Sequence, residues 1–164
     1  MSRILEGVIS GIAARLQSHG FTRQNRRVLK KIVGNSAIVL EFQKSDQSSA
    51  GRIIFTVNMG LIRGELLESG EKDLRDADFL DAHLNRRLGR FLAEPSDKWW
   101  EVTASTEPES LAAELSDVLL REAIPYFQTY LDADSLIALW ESGTSPGLTA
   151  VQRARYLHRL KEKQ

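Results

Sequence analysis

The sequence predicts an α+β fold, in which an antiparallel sheet of about five strands is covered on one face by an N-terminal helix and C-terminal helices. Three observations support this class. Apolar residues near the amino terminus recur at helical spacing, the middle of the chain alternates apolar and polar residues, and the last third is again helical in period. With 164 residues, the chain is expected to form a single domain over 1–164.

The first predicted helix runs from Ser2 to His19, and Gly20 can end it in a left-handed conformation. Three strands are predicted next, over residues 28–33, 36–44 and 52–61. Gly34 and Asn35 separate the first two strands and suit a tight hairpin.

The alternation within these strands predicts one apolar and one polar sheet face, because successive strand residues point to opposite sides. Four side chains are expected to be buried: Phe42, Phe55, Val57 and Trp99. Glu41 and Asn58 are expected on the opposite face.

Residues 65–81, called the acidic segment below, contain seven acids against Lys72 and Arg75. We expect this segment to be an exposed excursion, partly helical in places. The pattern of 79–92 fits a helix, with a strand as the open alternative. A strand is predicted over 99–103.

The carboxyl third is predicted to be helical, with helix signals in order along the chain. Capping boxes are expected at 106–109 and 149–152, Pro125 is expected to break or kink a helix, and Asp134 is expected to cap the next one. Gly143 is expected to end that helix.

Composition excludes several classes of function. The 22 basic and 22 acidic residues balance, and there is no cysteine, which removes disulfides and cysteine-based metal sites. No nucleotide-binding or nucleophile motif is present, the three histidines are far apart, and no signal peptide or membrane-length apolar run occurs. We therefore expect no cofactor, no metal and no membrane association, and a cytoplasmic location.

A basic run extends from Arg23 to Lys31. Such a run could follow the phosphates of a nucleic acid, but it lacks interleaved aromatic residues that stack on bases. Nucleic-acid binding is therefore not expected. The alternative is a basic strand face that docks on the acidic segment.

Several motifs occur together in a characteristic order: Gly20-Phe21, Phe42-Gln43-Lys44-Ser45, Phe55-Thr56-Val57-Asn58-Met59-Gly60, the stretch from His83 to Gly89, and Asp97-Lys98-Trp99-Trp100. In this respect the chain resembles the bacterial family called domain of unknown function 4304, over about Ile4 to Leu131, with 132–164 as a helical extension. The resemblance implies that the Arg-Leu-Gly segment is a strand paired with the double-Trp strand. It implies no established activity. Ala82 stands where such sequences often have cysteine, which weakens the case for a metal at His83.

The candidate ligand-binding residues are Gln43, Lys44, Asn58, His83, Arg86, Arg87 and Trp100. Arginine forks suit phosphate or carboxylate groups, and histidine titrates near neutral pH. These residues could equally be a solvated sheet face and surface ion pairs. His83 could instead be structural, packed between the double-Trp strand and the acidic segment.

Three functions are compatible with these patterns, and no catalytic residue is assigned. The first is a small non-enzymatic binding module for a protein partner, resembling inhibitors or immunity proteins, which acts through the acidic segment. The second is a small-ligand or nucleic-acid binder that uses the polar sheet face and the arginines. The third is an enzyme built around His83 and Arg87. The oligomeric state is not predicted.

Overall fold

The fold is a six-stranded antiparallel sheet with helices on one face, and the computed structural model describes residues 3–67 and 72–163. The helices and strands are α1 Arg3–Gln17, β1 Thr22–Arg23, β2 Val28–Val33, β3 Ser36–Lys44, β4 Arg52–Arg63, β5 Leu84–Arg87, β6 Trp100–Thr103, α2 Pro108–Val118, α3 Ile124–Thr129, α4 Ala133–Glu141 and α5 Ala150–Lys161. The predicted α+β class is therefore confirmed. The three strands predicted before the acidic segment form within two residues of their expected ends.

The strands follow the order β1-β2-β3-β4-β5, and β6 also pairs with β4. β5 pairs with residues 58–61 of β4, whereas β6 pairs with 52–55. A strand is thus present within 79–92, but it ends at Arg87, and Leu88 and Gly89 of the Arg-Leu-Gly segment lie in a 3₁₀ turn over Leu88–Phe91. The helix that the local pattern favours over 79–92 is wrong. The resemblance also implied that this strand pairs with the double-Trp strand, and that pairing is wrong. β4 is 12 residues long and pairs with β5 and β6 in line, one after the other.

The register separates the two faces of the sheet. Phe42 pairs with Val57, while Glu41 pairs with Asn58, so directly opposed residues share a face. The predicted burial of Phe42, Phe55 and Val57 is confirmed, but Trp99 is only partly buried. Trp100 takes the core position instead, because it pairs with Phe55 on the apolar face.

The described part of the acidic segment packs on the second face of the sheet. Its Ala77 and its neighbour Ala82 are buried against Val39 and Ile62 of that face. Gly60 permits this approach, because a Cβ there would lie 2.6 Å from the Cβ of Ala82. The described residues of the segment, 65–67 and 72–81, are therefore a cover for the sheet as well as an exposed excursion, and residues 68–71 of the predicted excursion lie outside the described residues.

Lys30 ties the acidic segment to β2. Its ammonium donates hydrogen bonds to the carbonyls of Leu74, Arg75 and Ala77 at 3.0, 2.8 and 2.5 Å. Burial lowers the pKa of Lys30, while Asp76 opposes that shift. The docking of the basic strand on the acidic segment is thus observed at Lys30, through backbone carbonyls more than through direct ion pairs.

Two predicted helix caps are wrong. Thr106 Oγ1 accepts from the Thr103 N–H at 3.0 Å and so does not cap α2. Asp132, two residues before Asp134, caps α4 by accepting from the Ser135 N–H at 2.8 Å. The capping box at 149–152 is confirmed.

Pro125 does not break its helix. The chain passes from α2 through a π-helical turn over Leu119–Ala123 into α3. Pro125 lies just after this π-helical turn, where the regular α-helical hydrogen-bond pattern is already shifted and a missing N–H is tolerated. Gly143 ends α4 with a φ of 74°, as expected.

The helical extension joins the same core as the sheet. Leu136 and Trp140 of α4 and Leu160 of α5 belong to the buried cluster that also contains α1 and the apolar sheet face. In the described residues, no helix is both long and apolar enough to cross a membrane.

Candidate functional site

Four polar side chains form one network on the second face of the sheet, called the polar sheet face: Glu41, Gln43, Asn58 and Arg87. Asn58 Nδ2 donates to Glu41 Oε2 at 3.2 Å and to Gln43 Oε1 at 2.9 Å. Arg87 Nε donates to Asn58 Oδ1 at 3.3 Å. The structure therefore brings together three of the predicted site residues, Gln43, Asn58 and Arg87.

Arg87 is also engaged outside the sheet. Its Nη1 donates to both carboxylate oxygens of Asp97 at 2.6 and 2.8 Å. Its guanidinium carbon lies 5.0 Å from the ring centroid of Trp99. The hydrogen bond from Arg87 holds the pKa of Asp97 below its usual value. The charge of Arg87 is thus compensated, and the roles of Asp97 and Trp99 were not predicted.

Arg86 points to the other side of β5. Its guanidinium carbon lies 5.3 Å from the Phe91 ring centroid and 5.4 Å from that of Tyr126. Burial raises the pKa of Tyr126, while a hydrogen bond from Arg86 opposes that rise. The Nε of Arg86 is buried without a hydrogen-bond partner in the described part of the chain.

The strand therefore separates Arg86 from the polar sheet face, but both arginines border one cleft of about 450 Å³. This arginine cleft is lined by Asn85, Arg86, Arg87, Arg90, Asp97, Pro146 and Gly147. Pro146 and Gly147 come from the loop between α4 and α5. Sequence patterns could not associate that loop with β5, because nothing in its residues indicates the pairing partner.

His83 lies at a different place. Only 3% of it is exposed, its Nδ1 accepts from the Arg63 N–H at 3.1 Å, and its ring meets Tyr156 edge-on at 4.8 Å. Burial, followed by the nearby charge of Arg159, lowers its pKa to about 4. The imidazole is therefore neutral at pH 7.

His83 borders a pocket of about 250 Å³ together with Lys72, Tyr156 and Arg159. The arginine cleft shares no lining residue with this pocket. The structure thus does not bring His83 and Arg87 together as an enzyme built around both would need. It also corrects the expected packing, because Tyr156 of α5 takes the place expected for the double-Trp strand.

Two predicted site residues, Lys44 and Trp100, lie neither at the polar sheet face and the arginine cleft nor at the His83 pocket. Lys44 is exposed at the end of β3 and pairs with Phe55, on the side of the core. Trp100 is buried in the core. Within residues 3–67 and 72–163, no cluster of three or more histidine or acidic side chains could hold a metal ion.

A third cavity, called the hairpin groove, lies between the β2–β3 hairpin and the acidic segment. It measures about 510 Å³ and is lined on its apolar side by Ile32, Leu67 and Leu74. Charged residues at its rim are Lys72, Asp73 and Arg75. Ile32 is 48% exposed.

These features define a small α+β domain with a satisfied polar sheet face, an arginine cleft and an apolar hairpin groove. A family model described as Domain of unknown function (DUF4304) matches residues 12–129, and the chain belongs to this family. The match covers the whole sheet, whereas Pro146, Gly147 and Tyr156 lie outside it. No curated protein and no solved structure matches the chain.

Proposed function

We propose that this chain is a non-enzymatic binding module that recognises a protein partner through the hairpin groove and the acidic segment beside it. The observation that carries the proposal is the groove itself. Ile32, Leu67 and Leu74 form an apolar floor with a charged rim. An apolar patch with a polar rim is typical of a protein-binding surface.

The charge of the acidic segment supports a basic partner. Asp73, Asp76 and Asp78 are exposed along it, and Leu80, which follows them, is 89% exposed. Arg75 pairs with Asp73 and Lys72 pairs with Asp81, but acids outnumber basic residues in the segment while the chain is neutral overall, so the excess negative charge is local to one surface. A basic partner would be steered to that surface, and the apolar floor would then hold an anchoring side chain.

The edge of β2 beside the groove offers backbone hydrogen-bonding groups to a partner. β1 pairs only with Leu29 and Lys30 of β2, so among the described residues no strand covers the edge of 31–33. An extended segment of the partner could hydrogen-bond there while one of its side chains enters the groove.

This proposal predicts that Ile32→Asp abolishes retention of the partner. The matched control is Val151→Asp, which places the same charge at a 78% exposed apolar position on α5. The measurement is a pull-down from the native host with wild-type and both variant proteins at two salt concentrations. A protein retained by wild type and by Val151→Asp, lost with Ile32→Asp and weakened by salt, is the expected result. Retention that does not distinguish the two variants would contradict the proposal.

We also propose that nucleic acid is not the ligand of this chain. Arg26 and Arg27 are exposed, but no aromatic stacking platform accompanies them. Binding of RNA or DNA, measured by fluorescence anisotropy near physiological salt, is expected to be weaker than micromolar. Sub-micromolar binding that is lost when both arginines are replaced by glutamate would overturn this expectation.

The location that we propose is the cytoplasm of a bacterial cell. A chain without cysteine needs no oxidising compartment for its folding.

A further inference from the structure

The arginine cleft carries more positive charge than its own residues compensate. Three guanidinium groups and one carboxylate line it, and the carboxylate of Asp97 is bound to Arg87 by two hydrogen bonds. In the described part of the chain, neither Arg86 nor Arg90 makes an ion pair. Arg90 acts on Asp97 only as a more distant charge, which contributes to lowering the pKa of that carboxyl.

Of Arg86 and Arg90, Arg86 is the more buried side chain. It is half-buried beside two aromatic rings, those of Phe91 and Tyr126, and its Nε is fully buried without a partner in the described residues. Removing a charged donor from water costs free energy unless a partner of opposite charge replaces the lost hydration. The two rings and the hydrogen bond from Arg86 to Tyr126 compensate part of that cost but bring no opposite charge.

The positions of these groups are set by rigid elements. Arg86 lies on β5 and pairs across the sheet with the buried Met59 of β4. Gly147, on the opposite wall, has a φ of 78° and its carbonyl accepts from Asn85 Nδ2 at 3.4 Å. The cleft is therefore closed on one side by the loop that joins α4 and α5.

We propose that the arginine cleft binds a small molecule through a phosphate or carboxylate group, with Arg86 and Arg90 as the charged donors. A guanidinium presents a planar fork that matches the oxygens of both groups. The volume of about 450 Å³ admits a metabolite-sized ligand. Arg87 and Asp97 form a neutral wall of the site. This site is separate from the hairpin groove, so each proposal can fail without the other.

The test is an NMR titration of ¹⁵N-labelled protein with inorganic phosphate and, separately, with acetate. Sodium chloride at equal ionic strength serves as the screening control. We expect saturable shifts at the Arg86 Nε–Hε group and at the Gly147 amide with at least one of the two ions. The ion that binds more tightly identifies the group that the cleft prefers.

Variants assign the binding to the two arginines. Arg90→Gln, at an exposed position, is expected to weaken binding by about tenfold or more, while Arg26→Gln on a distant loop leaves it unchanged. Arg86→Lys keeps the charge but loses the fork and is also expected to weaken binding. The proposal would be overturned if neither ion gave a saturable shift, or if Arg90→Gln and Arg26→Gln bound the ion with equal affinity.

Discussion

Trp140→Ala is expected to lower the free energy of unfolding by about 3–5 kcal/mol. Trp140 is only 2% exposed and lies in the cluster that joins α4 and α5 to the sheet. Its ring also packs on Tyr156, with ring centroids 6.2 Å apart. The substitution would leave a cavity where the helical extension meets the rest of the core.

Chemical denaturation monitored by circular dichroism measures this effect, and Leu80→Ala is the control. Leu80 is 89% exposed, so its replacement should change stability by less than about 0.5 kcal/mol. The same curves test the prediction of a single domain over 1–164. Wild type should unfold in one transition, whereas two transitions, with Trp140→Ala affecting only one of them, would contradict it.

Acid is expected to destabilise the protein through His83. Its pKa in the folded state is about 4, below its ordinary value of 6.5. Between these two pH values the unfolded chain binds a proton that the native chain does not. The contribution of the neutral imidazole is therefore complete above about pH 6.5, falls as the pH decreases, and is lost at about pH 4. The difference corresponds to roughly 3 kcal/mol.

The groups around His83 explain the direction of this shift. Burial contributes most, and Arg159 adds repulsion between like charges. Asp81, Glu65 and the backbone of Leu66 act in the opposite direction but are outweighed. The Arg63 N–H already uses Nδ1 as an acceptor, so protonation at that atom would also break a buried hydrogen bond.

His83→Ala isolates this contribution. At pH 7 the variant should be less stable than wild type by about 1–3 kcal/mol, because a buried, hydrogen-bonded group is lost. Between pH 7 and 4 its stability should fall less steeply than that of wild type. His158→Ala is the control, because the His158 side chain is 76% exposed. Parallel pH curves for wild type and His83→Ala would show that His83 does not titrate as described.

The local sequence pattern alone predicted those strands and helix ends that depend only on neighbouring residues. Period-two alternation predicted β3 and β4 with the correct face for Phe42 and Glu41, because neighbouring strand residues must point to opposite sides. Gly20 and Gly143 ended their helices as expected, since glycine adopts a positive φ without steric cost. The motifs from Gly20 to Trp100 were sufficient to indicate the family.

Tertiary structure alone decided which elements meet. Whether Trp99 or Trp100 enters the core depends on the pairing of β6 with β4, because a register shift of one residue exchanges the two faces. The pairing of β5 with β4 places Arg86 opposite the buried Met59 and Arg87 opposite Asn58, so two arginines that the sequence analysis grouped together lie on opposite sides of β5. The loop at Pro146 and Gly147 reaches the arginine cleft only because α4 and α5 bury Trp140 and Leu160 in the common core. Such long-range contacts depend on the burial of whole elements, and no local period encodes them.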